Sequence, residues 1–191
     1  MNTTLPGPWQ HTQTVWVIYT GSFSCHTRRM PPQPAIRIRS YRPGDRDPVM
    51  QLAPRLTEGI APWRDPADML RSIRTAIRTS IDAFRAPGRA VFVAAVGTRI
   101  VGVVTVSERI DFTGQREAYV GWLVVHAAMQ RRGIATRLMA AAENWAAGRG
   151  LACITLETGA ANHPARGLYT SLGYKEEDIR FTKHSLPHKT R

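Results

Sequence analysis

Residues 130–135 carry the sharpest chemical signal in the sequence, the segment Gln-Arg-Arg-Gly-Ile-Ala. The segment follows a predicted strand that ends at Val125 and opens a predicted helix that begins near Gly133. The first backbone amides of a helix have no partner inside the helix, and the helix dipole favours negative charge at that end. Arg131 and Arg132 add positive charge, and a residue as small as Gly133 lets a ligand approach the backbone. This arrangement predicts a cradle for an anion, with a pyrophosphate as its natural occupant.

Other phosphate-binding patterns do not fit these residues. A dinucleotide-binding turn needs Gly-x-Gly-x-x-Gly, of which a single glycine is present, and a Walker-type loop needs Gly-x-x-x-x-Gly-Lys followed by Ser or Thr, which is absent. When the segment is taken alone, an ordinary strand-to-helix turn with exposed arginines stays open as the alternative.

A second pattern lies downstream, and the two together point to one family. Residues 125–135 resemble motif A of the GNAT family of N-acetyltransferases, whose core is Gln or Arg, two residues, Gly, one residue, and Gly or Ala. The downstream residues are similar to the family's second signature, a strand followed by an Asn and by a short helix with a Leu-Tyr pair and a Leu-Gly-Tyr ending. The matching residues are Gln130, Gly133, Ala135, Leu156, Glu157, Thr158, Asn162, Ala165, Leu168, Tyr169, Leu172, Gly173 and Tyr174. The sequence departs from the pattern at Ala127, where the family often has Pro, and at Ala135, where it often has Gly.

The resemblance implies that acetyl-CoA is the co-substrate, and no metal is expected. Its pantetheine arm would pair as an added strand with the strand that ends at Val125, whose amide would also meet the oxyanion. The amides of residues 131–136 would hold the pyrophosphate. Asn162 would bind the pantetheine arm, although it could equally cap the following helix. Tyr169 would protonate the leaving thiolate. The alternative is that Tyr169 is a half-buried tyrosine of the helix without a chemical role. The residues implied to bind the cofactor are Leu123, Val124, Val125, Gln130, Arg131, Arg132, Gly133, Ile134, Ala135, Thr136, Asn162 and Tyr169.

Acetyl transfer to an amine also requires a group that removes a proton, because an alkylammonium has a pKa of about 10.4. Glu117 is at a position that resembles the base proposed for acetyltransferases of ribosomal-protein alanines, and we expect odd-numbered residues of 117–125 to share one face of their strand. Tyr119 stands where other members carry an acidic residue, and Glu157 on the neighbouring strand is a second candidate. A solvated strand start is the alternative for Glu117, and a structural salt bridge is the alternative for Glu157. The predicted catalytic residues are therefore Tyr169 and Glu117.

The acceptor is expected to bind among three loop segments, residues 59–68, 108–116 and 174–182. Trp63 would be an aromatic wall of this site or a lid residue that packs on the core. Acidic side chains in the first two segments would attract a cationic amine. The acceptor class, a small molecule or a peptide, stays open.

The elements that must position these residues follow the order β-α-α-β-β-β-α-β-α-β. Apolar residues at every fourth position from Met69 to Ile81 predict an amphipathic helix. This order predicts a single α/β domain with a central, twisted, mostly antiparallel mixed sheet flanked by helices. Strands are predicted at residues 36–41, 90–96, 100–106, 118–125 and 151–158, with less pronounced patterns near Tyr174 and at 179–186.

The two ends of the chain differ from its body. Residues 1–34 are rich in Thr, Ser, Pro and Gly and are interpreted as a disordered leader, with an over-long gene assignment or a targeting arm as readings of its origin. Residues 35–186 are predicted to form the acetyltransferase domain and residues 187–191 a tail. Cys153 is expected to be buried in an apolar run. Two cysteines exclude a disulfide framework and favour a cytoplasmic setting.

Composition limits the remaining classes of function. A content of 43% hydrophobic and 21% charged residues is sufficient for a core, and no apolar run approaches the length of a membrane span. The formal net charge of +12 favours an anionic partner, either nucleic acid, a phosphorylated cofactor or acidic lipid. The arginines are scattered and no nucleic-acid recognition motif is present, so nucleic acid is disfavoured. Beside an acetyl-CoA-dependent N-acetyltransferase acting on a primary amine, two alternatives are kept: a non-catalytic acyl-CoA-binding module and a basic nucleic-acid binder. A homodimer is compatible with each.

Overall fold

Five strands form one sheet in the order in which they occur along the chain. The computed structural model describes residues 35–183, and the predicted leader 1–34 and tail 187–191 lie outside this range. The strands are β1 Ile36–Ser40, β2 Arg89–Val96, β3 Arg99–Ile110, β4 Arg116–Val125 and β5 Ile154–Leu156. β1 to β4 are antiparallel neighbours, and β5 runs parallel to β4. The predicted mixed and mostly antiparallel sheet is therefore confirmed.

Four α-helices flank the sheet: α1 Arg46–Leu52, α2 Pro66–Asp82, α3 Ile134–Ala147 and α4 His163–Ser171. α2 begins after Asp65, because the carboxylate of Asp65 accepts a hydrogen bond from the amide of Asp68 at 2.7 Å and a proline is the first helical residue. α1 ends before Pro54, and a short 3-10 turn, Ala53–Thr57, continues from it.

A separate apolar cluster covers each face of the sheet. On one face, α2 contributes Ile73, Ile77 and Ile81, and α1 packs beside it. On the other face, α3 contributes a cluster that includes Ile134 and Leu138. β2 and β3 are buried on both sides, which explains why their sequences are continuous apolar runs rather than alternating ones.

β4 contains one extra residue, Gly121. Thr105 of β3 lies opposite Trp122, whereas Val106 lies opposite Val120, so Gly121 has no partner in the β3 register. The hydroxyl of Thr105 accepts a hydrogen bond from the amide of Trp122 at 3.0 Å and so satisfies a group at the irregularity. Gly121 is therefore a β-bulge that a buried hydroxyl stabilises.

The bulge shifts the alternation of side chains along β4. Even-numbered residues face α3 before Gly121, and odd-numbered residues face α3 after it: Ala118, Val120, Leu123 and Val125. Glu117 therefore lies on the α2 face, which it shares with Trp122 and Val124. The expectation that odd-numbered residues share one face along the whole strand is wrong, because the extra residue reverses the phase.

The sheet ends earlier than the sequence predicts. β5 has three residues instead of the eight expected at 151–158. Cys153, expected to be buried, is exposed because it lies in the irregular segment before β5. The last strand of the predicted order is not found in residues 172–183, where Ile179 and Phe181 are largely exposed, and the rest of that candidate lies beyond the described residues. In the part from 35 to 183, no helix is both long and apolar enough to cross a membrane.

Candidate active site

The second half of β4 has an open edge. β5 pairs only with the Ala118–Val120 part of β4, whereas β3 pairs with β4 as far as Val125. Among the described residues, no strand pairs with residues 121–125 on the β5 side. The sheet therefore splits between β4 and β5 at the bulge.

The direction of each backbone group along this edge follows from the hydrogen bonds to β3. The amide of His126 donates to the carbonyl of Val101 in β3 at 2.8 Å. Successive residues of a strand point their N–H and C=O groups to opposite sides. Val125 and Leu123 therefore point theirs to the open edge, whereas Val124 points its own toward β3. Of the three residues predicted to pair with a pantetheine arm, two present backbone groups to a ligand.

A tight turn connects this edge to α3. Residues Ala127–Met129 form a 3-10 turn, and Nδ1 of His126 accepts a hydrogen bond from the amide of Ala128 at 3.2 Å. The imidazole thus closes the turn at the point where the family often has Pro. The sequence does not indicate this role, because His is not among the residues that commonly cap a helix or turn.

The predicted anion cradle contains two residues in the left-handed region. Arg131 has φ 59° and Gly133 has φ 69°. This conformation costs an arginine about 1 kcal/mol, whereas glycine adopts it freely. Left-handed residues in a turn bring successive amides to one side, and strain of this kind concentrates at binding sites. Gln130, Arg131 and Arg132 are exposed around the turn.

The N-terminus of α3 completes the cradle. Its first intrahelical bond runs from the amide of Arg137 to the carbonyl of Gly133 at 3.1 Å. The amides of Ile134, Ala135 and Thr136 precede this bond and lie at the positive end of the helix. A Cβ atom added at Gly133 would meet no protein atom within 4 Å, so the space beside it is free for a ligand. The geometry fits the pyrophosphate of a CoA thioester.

Asn162 begins α4 and also contacts the loop before α2. Its Oδ1 accepts a hydrogen bond from the amide of Ala165 at 3.3 Å, so the capping alternative is present. The cap uses only Oδ1, and Nδ2 donates to no described residue. A Cβ atom on Gly59 would lie 2.5 Å from the Cβ of Asn162, so only glycine permits this approach. No pattern in the sequence indicates this contact, which joins two loops that are distant along the chain.

Tyr169 of α4 is half-buried in the α3-side cluster, to which Leu123 and Val125 also belong. Its ring centroid lies 5.9 Å from that of Tyr174, whose hydroxyl donates to Glu143 at 2.9 Å. Burial raises the pKa of Tyr169 to about 12, so its hydroxyl keeps its proton at neutral pH. This hydroxyl bonds to no residue in the range 35–183. Tyr169 is therefore able to donate a hydrogen bond to a ligand.

Glu117 is buried and ion-paired. Its exposure is 5%, and its carboxylate pairs with the guanidinium of Arg109, its direct neighbour in the β3–β4 register. Arg109 also donates to the hydroxyl of Thr155 at 3.1 Å and lies 3.9 Å from the ring centroid of Tyr119. The alternative of a solvated strand start is wrong for Glu117. An amine that approaches this carboxylate has to share it with Arg109.

A cavity of about 370 Å³ opens on the α2 face beside the bulge. The expected acceptor loops 59–68, 108–116 and 174–182 contribute no lining residue, and Trp63, which is 55% exposed, does not line it either. The cavity lies on the strands instead, because the bulge and the end of α2 leave space there. Its lining residues are Ala76, Ser80, Arg89, Ala90, Thr105, Val106, Ser107, Tyr119, Gly121, Trp122 and Glu157.

Glu157 is the carboxylate that faces this cavity. It follows β5 directly and is exposed. It forms no ion pair or hydrogen bond with a described residue, although its negative charge acts on the nearby Arg109 and Tyr119. Burial, and after it the negative charge of Glu157, raise the pKa of Tyr119 above its ordinary value. The structure thus separates the two candidate bases: Glu157 lines the cavity, and Glu117 does not.

Comparisons with known proteins agree with this fold. A protein from Bacillus halodurans C-125 described as a transcriptional regulator is 23% identical, with 79% of this chain and 100% of that chain covered and a TM-score of 0.58. An aminoglycoside acetyltransferase from an uncultured soil metagenomic sample, in complex with trehalose, is 19% identical, with 80% of this chain and 97% of that chain covered and a TM-score of 0.57. AAC(6')-Iy, in complex with a bisubstrate analogue of CoA, is 20% identical, with 80% of this chain and 99% of that chain covered and a TM-score of 0.59. At these identities the likeness shows the fold alone.

The comparison with family models identifies the family of the chain, which the structural comparison does not. No curated protein matches the chain at a significant level. The model of the acetyltransferase (GNAT) family matches residues 55–174, which include the open edge of β4, the cradle and α4. Membership of this family supports acetyl transfer from acetyl-CoA as the general class of reaction. The chain, with its cradle and split sheet, belongs to the acetyltransferase (GNAT) family.

Proposed function

We propose that the protein is a cytoplasmic N-acetyltransferase that moves an acetyl group from acetyl-CoA to a primary amine of a small molecule. The observation that carries this proposal is the position of the open β4 edge. The edge leads directly into the anion cradle at one end, and at the other it meets the bulge that borders the cavity. One ligand along the edge could therefore have its phosphates in the cradle and its reactive end beside the cavity.

The cofactor would be held mainly by backbone groups. Leu123 and Val125 would pair with the pantetheine arm, and the first amides of α3 would bind the pyrophosphate with help from Arg131. Nδ2 of Asn162 would donate to the same arm from the opposite side of the split. Bound acetyl-CoA supplies a thioester, which is already activated toward an amine.

Two groups of the chain would act on the thioester. The amide of Leu123 points to the open edge on the side of the bulge and would donate to the acetyl oxygen as negative charge develops on it, whereas Val125, the donor that the family resemblance implies, lies at the cradle end of the edge. The hydroxyl of Tyr169, which is protonated at neutral pH, would donate to the sulfur as the carbon–sulfur bond breaks. Both residues belong to the same cluster, which supports their action on one group.

We assign the removal of the amine proton to Glu157. The attacking nitrogen must lose a proton as it forms its bond to the acetyl carbon, and a carboxylate at the cavity can accept that proton directly or through water. Glu157 has no competing partner among the described residues. Glu117, the base predicted from the sequence, is kept as the second candidate, and its ion pair with Arg109 argues for a structural role.

The first test of the proposal measures binding and turnover separately. Acetyl-CoA is expected to raise the melting temperature, and incubation with amines is expected to release CoA catalytically. Release is followed with a thiol reagent, and the two cysteines of the chain, Cys25 and the exposed Cys153, contribute a fixed, stoichiometric background that a variant with both replaced by Ser removes. A thermal shift without release from any amine would favour the acyl-CoA-binding module, and the absence of a shift would contradict the cofactor site.

A further inference from the structure

The cavity beside the bulge carries two opposite and unpaired charges. Arg89 and Glu157 both line it. Neither forms an ion pair with another residue of the described range, whereas other carboxylates of the chain, such as Asp45 and Glu108, are paired. Arg89 and Glu157 are therefore both available to a ligand in the cavity.

Strand register places these charges at the two ends of one row. Arg89 lies opposite Ser107, Ser107 opposite Tyr119, and Tyr119 opposite Thr155. Directly opposed residues point to the same face, so the row crosses four strands on the α2 face. Glu157 follows Thr155 by two residues and lines the same cavity. Strands lie about 4.8 Å apart, so the backbones at the two ends are separated by about 14 Å, and the side chains reach inward from both.

We propose that the acceptor is a small amine that carries an anionic group, a carboxylate or a phosphate, at the end remote from the amine. This inference rests on the proposed function. Glu157 meets the amine beside the split in the sheet, and Arg89 binds the anionic end. The hydroxyl of Ser107 lies between them in the row as a neutral donor and acceptor.

Size and charge both argue against a polycationic acceptor. A volume of about 370 Å³ is at the low end of the usual range for ligand pockets. Of the described residues that line the cavity, Glu157 alone is acidic. A second ammonium group would lie near Arg89 without a counter-charge and would be repelled. The reaction of an aminoglycoside or a long polyamine is therefore expected to be slow.

The test compares matched acceptors that differ in one charge. Initial rates of CoA release are measured with ω-amino acids and ω-aminoalkyl phosphates of increasing chain length, and with alkylamines of the same lengths. We expect kcat/KM for the best anionic amine to exceed that of the matched alkylamine by about tenfold or more, since a charge-assisted hydrogen bond is lost in the alkylamine. One chain length should be preferred, because the two charges are fixed on strands. Spermidine and an aminoglycoside are included as polycations.

A charge reversal links this preference to Arg89. In Arg89→Glu, the preference should shift from the amino acid to a diamine of the same length. Arg99→Glu, at the exposed start of β3 and outside the cavity, is the matched control and should leave the preference unchanged. A thermal shift with acetyl-CoA, measured for both variants, shows that they are folded and bind the cofactor.

The outcomes separate this inference from the proposed function. Equal rates for the matched amines, a faster reaction with a polycation, or an unchanged preference in Arg89→Glu would overturn the acceptor assignment and leave the acetyltransferase function standing. If no amine in the panel causes CoA release although acetyl-CoA binds, both the function and the acceptor assignment are wrong.

Discussion

Glu117 and Glu157, the two carboxylates considered as proton acceptors, have opposite surroundings. Glu117 is buried, and its partner Arg109 also contacts Thr155 and Tyr119, so this group ties three strands together. Glu157 is exposed at the cavity and has no partner in the described part of the chain. At the scale of the residue, the available carboxylate suits proton transfer, and the paired one suits structure.

We expect Glu157→Gln to lower kcat by about 100-fold at pH 7, because the attacking amine loses its proton acceptor. The rate of the variant should rise steeply with pH as the amine, with a pKa of about 10.4, deprotonates unaided. Measurement of kcat between about pH 6 and 10 tests this. Glu117→Gln is the matched comparison and should lower the melting temperature without a change in the shape of the profile. If Glu117→Gln shows the steep profile instead, the assignment of the base is reversed.

Tyr169→Phe should lower kcat by about 100-fold and leave the KM for acetyl-CoA unchanged, because only the donor to the leaving sulfur is removed. The control is Tyr174→Phe, which loses the hydrogen bond to Glu143 and should affect stability rather than kcat. Steady-state kinetics at saturating amine distinguish the two. Full activity of Tyr169→Phe would refute a chemical role for this hydroxyl.

At the scale of the element, the site depends on what two elements leave unpaired. β4 loses its neighbour at the bulge and presents alternate backbone groups to the split, and α3 begins without a side-chain cap at Gly133. Unpaired amides are costly where they are buried and useful where a ligand satisfies them. We therefore expect changes that fill this space to affect binding more than folding.

Gly133→Glu should abolish acetyl-CoA binding, since it places a bulky, negatively charged side chain at the cradle. Gly97→Glu is a close control, because Gly97 has φ 60°, a Cβ atom there also meets no protein atom within 4 Å, and the residue lies in the β2–β3 hairpin. Each variant adds a similar backbone strain of about 1 kcal/mol. Only Gly133→Glu should lose the thermal shift with acetyl-CoA, and a retained shift would place the pyrophosphate elsewhere.

The elements that could be predicted from sequence are those set by short-range patterns. α3 begins at Ile134, next to the predicted start, because the turn and the helix are encoded by adjacent residues. The Asp65 cap and the apolar stripe of α2 were predictable for the same reason. The resemblance of two motifs was sufficient to predict the fold class.

The parts that could not be predicted depend on strand register. The sequence around Gly121 is apolar on both sides, so it contains no signal for a change of phase. Without the phase, the face of Glu117 and its pairing with Arg109 could not be known, nor could the position of the cavity. The left-handed Arg131 was equally unpredictable, because arginine has no preference for that conformation.

At the scale of the whole molecule, the charge of +12 has more than one role. Arg131 is exposed at the cradle, and Arg89 lines the cavity. Arg39 and Arg109 are instead partners of Asp45 and Glu117, which have low exposure. Arginines paired with carboxylates add nothing to the net charge, and Arg131 and Arg89, in their proposed roles, would account for two of the twelve excess charges.

Asp45 provides a test of this internal pairing. Its carboxylate accepts hydrogen bonds from Arg39 at 2.6 and 2.7 Å and from the amide of Arg42 at 2.8 Å, and it joins β1 to the start of α1. The hydrogen bonds from Arg39 hold the pKa of Asp45 below its ordinary value. The ionised carboxylate of Asp45 therefore stabilises the folded state fully at a pH above the unfolded-state pKa of about 3.9. This stabilisation is lost as the pH falls through the lower pKa of Asp45 in the folded state.

Asp45→Asn should lower the free energy of unfolding by about 2–3 kcal/mol at pH 7, because Arg39 loses its charged partner. The difference from the unaltered protein should shrink below about pH 4, where the carboxyl group begins to take up a proton. Denaturant unfolding at several pH values measures both effects. Asp82→Asn, which breaks the exposed pair with Arg46, should have a much smaller effect. A difference that persists at low pH would contradict this account.

The bulge at Gly121 makes the two halves of β4 independent in the phase of their side chains. Tyr119 of the first half lines the cavity together with Gly121 and Trp122, and residues 123–125 carry the backbone edge that is proposed to meet the cofactor. Deletion of Gly121 would shift the side-chain alternation of one half of β4 by one residue relative to the other half. If residues 122–125 kept their positions, the side chains of Glu117 and Tyr119 would move to the α3 face, and those of Ala118 and Val120 would move to the α2 face. A substitution in the first half, in contrast, can alter the acceptor without moving the edge. Acceptor choice and cofactor binding can therefore change separately on a single strand.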